Sequence, residues 1–303
     1  MKIPKLLIST VVRGAQRGES HGGLYLVDIA ARDVEQVADW RSEAIDFSGQ
    51  GGDRGLRGIA VAGQEIFVAA SDEIFAFDPW FQVVGSWKNP YLKHCHEISA
   101  RDGKLYLTAT AFDAVLRMDV KSRQFEFGMK IANEGGVISL KSFDPRKAGE
   151  VETSNLYHLN SVRAEKDCLF VAGRKMPALV KMTETSIEMA AGLPRGSHNA
   201  QPFGDGVLYN DGDGDAVVWS TKEEWIASAV PRYPREALLG AGGDMARQAF
   251  GRGLCVLSET LVAAGSSPAT VSVHDLKAGQ VVETLNLTMD VRHAVHGLAV
   301  WPF

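Results

Sequence analysis

The chain is poor in cysteine, poor in histidine and free of long apolar runs. Its three cysteines, Cys95, Cys168 and Cys255, show no C-x-x-C spacing. That argues against a disulfide-stapled scaffold or a cysteine-based zinc module and leads to the expectation of a reduced, cytoplasmic protein. No stretch approaches the roughly 20 apolar residues of a membrane helix. The opening M-K-I-P-K-L-L-I-S-T-V-V-R lacks the length and small-residue cleavage site expected of a signal peptide. A formal net charge of -5 supplies no basic field for nucleic acid or an anionic membrane. The patterns G-x-S-x-G, H-E-x-x-H, the P-loop and the Rossmann glycines are missing, so no short motif names a reaction.

What the chain does contain is a repeat. Six segments align: R-G-I-A-V from Arg57, H-E-I-S-A from His96, H-L-N-S-V from His158, H-N-A-Q-P from His198, R-G-L-C-V from Arg252 and H-G-L-A-V from His296. The chain has eight histidines, and four of them occupy this one position. The spacing falls in the range of propeller repeats, roughly 40 to 60 residues. Each copy continues with a polar turn and an apolar strand such as I-F-V-A-A from Ile66 or L-F-V-A-G from Leu169. A third strand often ends in aspartate (Asp78, Asp119, Asp275), and a more polar outer strand follows. Short alternating strands split by Gly and Asp turns indicate an all-β fold.

The last copy stops after its inner strand. The missing strands stand at the other end of the chain, at Leu6 to Val12, Leu24 to Asp28 and Val34 to Trp40. N-terminal strands that complete the C-terminal blade close a ring and leave no free sheet edge. The expectation is one domain over residues 1–303, an all-β six-bladed β-propeller with four-stranded blades. Two connections exceed turn length, Asn133 to Tyr157 and Ala229 to Gly251, and read as candidate lids. Within the second, E-A-L-L-G and G-D-M-A-R-Q-A-F read as candidate helix.

The unit H-E-I-S-A-R-D-G-K-L-Y-L-T (His96 to Thr108), with H-L-N-S-V and S-H-N-A-Q-P-F, resembles six-bladed propellers of the NHL, strictosidine-synthase-like and gluconolactonase-like superfamily. It looks closest to uncharacterised bacterial members with histidine-started inner strands. The resemblance implies the architecture over nearly the whole chain. Gluconolactonase-like members hold their metal largely through carboxylates and asparagine, whereas the repeated positions here are His and Arg.

In a propeller, the start of each inner strand points to the mouth of the central channel. The six positions then form a ring in which His96, His158 and His198 make one arc and Arg252, His296 and Arg57 the other. Neutral imidazole ligates zinc and iron, so His96, His158 and His198, with His296 as a fourth, are the expected ligands of a divalent metal, Fe(II) or Zn(II). His296 is alternatively a general base, and His94 and His293 are further acid/base candidates. Arg57 and Arg252 suit a carboxylate or phosphate. Two residues along, Ile59, Ile98, Asn160, Ala200, Leu254 and Leu298 are expected to face the same way. They would make an apolar floor broken by Asn160, a candidate substrate contact. Strand alternation turns Cys95 and Glu97 away from this face. Asn210-Asp211-Gly212-Asp213-Gly214-Asp215 reads first as a hairpin turn. Arg13, Arg17, Arg174, Lys175, Asp211 and Asp213 are rim candidates.

The leading expectation is therefore a metal-dependent enzyme acting on a small anionic molecule, with an oxygenase favoured over a zinc-type lyase or hydrolase. The competing readings are a non-catalytic ligand-binding propeller and a hydrolase whose metal is held by Asp211 or Asp213.

Overall fold

The computed structural model describes residues 3–41, 55–240 and 246–303. These residues form antiparallel sheets with two single 3-10 turns, Thr110–Phe112 and Arg235–Ala237. The six sheets follow the repeat. Ile59–Ala62 leads the first, Ile98–Arg101 the second, Leu159–Ala164 the third, Ser197–Phe203 the fourth and Arg252–Val256 the fifth. In the sixth, His293–Val300 pairs with Leu6–Val12, which is followed by Gly23–Asp28 and Asp33–Asp39. The expected completion of the last blade by the N-terminal strands is thus observed. Leu6, Leu7 and Ile8 are buried on both faces of their sheet. Burial of such side chains stabilises the pairing by about 1.5–3 kcal/mol each.

The chain divides into two compact units, Gly58–Val207 and the combination of Met1–Arg57 with Leu208–Phe303. The first is built on two apolar clusters. Phe67, Ile74, Leu92, Ile98, Leu105, Leu107 and Leu116 belong to one, and Val115, Met129, Leu159, Val171 and Val180 to the other. In the second unit, Leu6, Ile8, Val27, Val271, Val273, Val295 and Leu298 pack together. Outer strands are polar or exposed, as Val83–Lys88 and Asp33–Asp39 show. Among the described residues, no helix is long and apolar enough to cross a membrane.

Two expectations about connections need correction. The segment from Asn133 to Tyr157 is not a loop throughout. Val137–Phe143 adds a fifth strand to the second sheet, paired with Phe125–Glu134 from Glu134↔Val137 to Gly128↔Phe143. The turn between them is Gly135-Gly136, with φ of 62° and 91°. A two-residue type I′ hairpin needs positive φ at both positions, which glycine adopts without penalty. The Gly-Gly pair before V-I-S-L-K-S-F was the available signal. In the other connection the only described helical element is the 3-10 turn Arg235–Ala237, and residues 246–250 are not helical. Part of the expected G-D-M-A-R-Q-A-F helix, residues 243–245, lies outside the described residues.

Candidate functional site

Within residues 58–207 the structure brings His96 and His158 together. Their ring centroids lie 5.1 Å apart, edge to face. His96 is buried just before its strand, where its backbone N–H donates to Thr108 Oγ1 at 3.0 Å. Its Nδ1 lies 2.6 Å from the His94 carbonyl and 2.9 Å from Thr110 Oγ1. The carbonyl can only accept, and the Thr110 hydroxyl donates onward to the Leu159 carbonyl. The proton of a neutral His96 therefore sits on Nδ1, and Nε2 keeps its lone pair.

His158 is held in the same manner from a different backbone. It adopts φ 53°, and its Nδ1 lies 2.9 Å from Asn155 Oδ1. The buried Asp113 carboxylate fixes this loop. Oδ1 accepts from Tyr157 N at 3.1 Å and His158 N at 3.0 Å, and Oδ2 accepts from the Ser154 hydroxyl at 2.7 Å and from Leu156 N. Lys175 Nζ donates to the Asn155 carbonyl at 3.1 Å. Fixing Nδ1 with a protein oxygen orients an imidazole whose Nε2 is to act as base or ligand.

Sequence reasoning missed Glu97. Alternation turned it outward, but the strand begins only at Ile98, so the two-residue rule does not reach it. Its Oε2 accepts from Asn199 Nδ2 at 2.7 Å, and its Oε1 accepts from Ile98 N at 3.1 Å. A Cβ on Gly58 would lie 2.6 Å from Oε1, so glycine there leaves room for the carboxylate. Burial pushes the Glu97 carboxyl up to about 7, against the opposing pull of Ile98 N–H, Asn199 and Arg163. Cys95, next to His96, is a packed thiol as expected, 3.7 Å from the Glu97 carbonyl.

His198 is buried in its strand. Among the described residues, no group of three or more His, Cys, Asp or Glu side chains is arranged to hold a metal ion. Of the four expected ligands, His96 and His158 are in direct ring contact. Asn160 spends its amide N–H on the Ser197 carbonyl at 3.0 Å, while its buried Oδ1 has no hydrogen-bond partner among the described residues.

In the unit of residues 1–57 and 208–303, the arginines gather. Arg57 is 2% exposed, and the Ser9 hydroxyl donates to its carbonyl. Arg252 opens its strand and stacks on Phe250, with Cζ 4.0 Å from the ring centroid. Arg13, only a rim candidate from sequence, lies over the same ring at 4.8 Å, and Arg247 at 5.0 Å. His296 is a bulged residue: Ser9 faces Gly297 and Thr10 faces Val295, which leaves His296 as the extra position. A bulge re-aims a side chain relative to its strand. A second irregularity follows Arg252, where Gly253 has φ 70° and its Cβ position lies 3.2 Å from the His296 carbonyl. His296 is held well below the usual histidine range by burial first, then by Arg57, Arg252 and Arg13. Burial and the three guanidinium groups all favour its neutral form.

Other candidates have structural partners. His293 Nε2 lies 2.7 Å from Thr10 Oγ1, and burial lowers its proton affinity. His94 contributes its carbonyl to His96. Asp211 Oδ1 accepts from Asp213 N and Gly214 N, which is the expected turn, and Asp215 takes Arg232 and Arg247. Ile98 and Leu298, expected on an apolar floor, each pack within the apolar cluster of their own unit. Strand irregularities at Asn160, after Arg252 and at His296 interrupt the alternation on which that expectation rested.

No family model matches the chain. No curated protein matches it either. Among solved structures it is similar to a chain of a nidogen/laminin complex, with a TM-score of 0.57 and 10% identity over 97% of each chain. It is also similar to a protein of unknown function from Bacteroides caccae, with a TM-score of 0.55 and 13% identity over 97% of this chain and 98% of that one. A third likeness is to apo AztD from Citrobacter koseri, with a TM-score of 0.51 and 10% identity over 95% and 83%. Similarity at this level bears on the fold alone.

The fold is a six-bladed β-propeller. Arg57, His96 and His158 stand just before their strands, Arg252 opens one, and His296 bulges within another. There a bulge or a positive φ can aim a side chain that an unbroken strand could not.

Proposed function

We propose that the protein is an enzyme that binds a small anionic molecule, a carboxylate or phosphate, through Arg57, Arg252 and Arg13, and exchanges a proton with it through His296. The observation that carries this reading is the setting of His296, a buried imidazole kept neutral under three guanidinium groups. Guanidinium offers a planar fork of donors that suits oxyanions, and its stacking on Phe250 fixes the direction of that fork. A neutral imidazole can accept a proton, as a general base must. An arriving anion cancels part of the field that disfavours the imidazolium, so anion binding and proton uptake are coupled.

Calorimetric titration with sulfate, an oxyanion that does not titrate near neutral pH, tests this. Measurements at pH 7 in two buffers of different ionisation enthalpy are expected to show proton uptake on binding. The uptake is lost in His296→Asn. In Arg252→Lys, which keeps the charge but loses the fork, affinity is expected to fall about tenfold, or about 1.4 kcal/mol. Binding without proton uptake, or Arg57→Lys and Arg252→Lys variants that bind like the parent, overturns the proposal.

A second reading, a metal-dependent reaction, is favoured by the His96–His158 pair, whose Nδ1 atoms are both committed to protein oxygens. A divalent ion bound there would supply Lewis-acid polarisation of a substrate oxygen. Catalytic zinc sites usually take three protein ligands, and His198 is the third that the repeat offers. Elemental analysis of protein purified without chelator decides this. Near-stoichiometric iron would favour the oxygenase expected from sequence, and zinc a lyase or hydrolase. In either case the metal should be lost in the His96→Ala, His158→Ala double variant. Metal-free protein that still binds sulfate leaves an anion site without metal.

A further inference from the structure

Seven arginines lie between residues 58 and 207, and five of them meet a carboxylate: Arg101, Arg117, Arg123, Arg146 and Arg163. Arg174 and Arg195 are the exceptions. Both are exposed, and neither makes an ion pair with a described carboxylate. They are also neighbours, because Gly196 N donates to the Arg174 carbonyl at 2.8 Å. Lys175, the next residue and also exposed, gives its ammonium to a backbone carbonyl, that of Asn155 at 3.1 Å. This turn is laid against the His158 loop. Arg174 N donates to the His158 carbonyl at 3.1 Å and Lys175 N to the Tyr157 carbonyl at 3.0 Å. Gly173 permits the approach, since a Cβ there would lie 2.4 Å from the Tyr157 carbonyl oxygen. Asn155 then ties cation to imidazole: its carbonyl takes the Lys175 ammonium, and its Oδ1 lies 2.9 Å from His158 Nδ1. Asp113, the carboxylate bonded to this loop, is buried and already accepts from Ser154, Leu156, Tyr157 and His158.

Three cations on one rim, with no described carboxylate to answer them, give a local positive field on a chain of net charge -5. A carboxylate would bring one charge to them. A phosphate monoester brings close to two near neutral pH, with three acceptor oxygens. Guanidinium holds such oxygens through paired N–H bonds, and ammonium acts on them as a point charge. We propose that Arg174, Arg195 and Lys175 form a site for the phosphate group of a phosphorylated small molecule, which brings the rest of that molecule to His158. The backbone bonds that hold this turn to residues 157 and 158 fix the phosphate relative to the imidazole. The site uses none of Arg13, Arg57, Arg252 and His296, so it stands or falls independently of the anion-binding reading above.

The test is an NMR titration of the whole chain with inorganic phosphate at about pH 8, where it is a dianion. Chloride at matched ionic strength is the control. The amides of Lys175 and Gly196 and the ring of His158 are expected to shift and saturate together with phosphate but not with chloride. The double variant Arg174→Gln, Arg195→Gln alters two exposed side chains and should keep the fold. Its phosphate affinity should fall at least about tenfold. Arg163→Gln, which removes an ion-paired arginine of the same sheet, should bind phosphate as the parent does. Phosphate that gives no saturable shift beyond that of chloride overturns the proposal, as does a double variant that binds like the parent. Shifts that saturate at residues 175 and 196 while the His158 ring stays unmoved overturn the placement beside the imidazole.

Discussion

The Asn199 side chain donates a 2.7 Å hydrogen bond to Glu97, a residue 102 positions earlier in the chain. Asn199 does this from a left-handed backbone, φ 53°, a conformation asparagine tolerates better than most residues. The bond joins the start of the second sheet to the start of the fourth and lies beside His96 and His198 in sequence. It holds in place a carboxyl group that burial keeps protonated up to about pH 7.

That carboxyl makes stability depend on pH in a defined direction. The group ionises near 4.5 in the unfolded chain and near 7 in the fold. The folded state therefore binds more protons between these values, and the Glu97 contribution falls as pH rises through that window. The full shift corresponds to a ceiling of about 3 kcal/mol. Glu97→Gln retains an acceptor for Asn199 and cannot ionise. Urea unfolding should find it about 2 kcal/mol more stable than the parent at pH 8 and equal to it at pH 4.5. A constant difference across this range contradicts the assignment.

Burial acts in the opposite sense at His274. Its ring bridges Ser272 Oγ and Ser228 Oγ, each at 2.7 Å, and burial pulls its proton affinity down to about 4. The unfolded chain binds this proton at higher pH than the fold does, so stability is full above about 6.5 and is lost as pH falls toward 4. The loss approaches about 3 kcal/mol. His274→Gln should be less stable at neutral pH, by about 1–3 kcal/mol for the broken bridge, but should show a shallower decline in acid. An acid slope as steep as the parent's contradicts this.

Asp113 is the support on which His158 depends. Four donors converge on its buried carboxylate from Ser154, Leu156, Tyr157 and His158. Asp113→Ala leaves buried N–H groups unpaired, at about 1–3 kcal/mol each. A loss of about 3–5 kcal/mol is expected, with faster amide exchange at residues 156–158 while the sixth sheet stays protected. A loss under 1 kcal/mol would show that the loop holds itself.

Thr110 tests the tautomer argument. Its hydroxyl lies between His96 Nδ1 and the Leu159 carbonyl. Thr110→Val keeps the shape and removes the relay, at about 1–2 kcal/mol. The nitrogen NMR shifts of the His96 ring should move from a single Nδ1–H form toward a mixture of tautomers. An unchanged ring spectrum would assign the tautomer to the His94 carbonyl alone.

Much of the fold was legible because its causes are local and repeated. Alternation in strands such as Glu73–Phe77, glycine turns and aspartate-ended third strands recur in copy after copy. The truncated last copy implied that Leu6–Val12 must pair with His293–Val300, as it does. The repeat also singled out His96 with His158, and Arg57 with Arg252 and His296, which are neighbours within their respective units. The direction of Glu97, the recruitment of Arg13 to Phe250 and the Nδ1 partners of the two imidazoles were not legible. Alternation is a rule for regular strands, and it fails where Glu97 precedes its strand and where His296 forms a bulge. The sequence by itself determined the repeated strands, their order and the closure of the last blade, since these follow from neighbouring residues and period, but not the added strand Val137–Phe143. Only the tertiary structure decided which polar groups meet, because partners such as Glu97 and Asn199 are chosen by packing between distant segments.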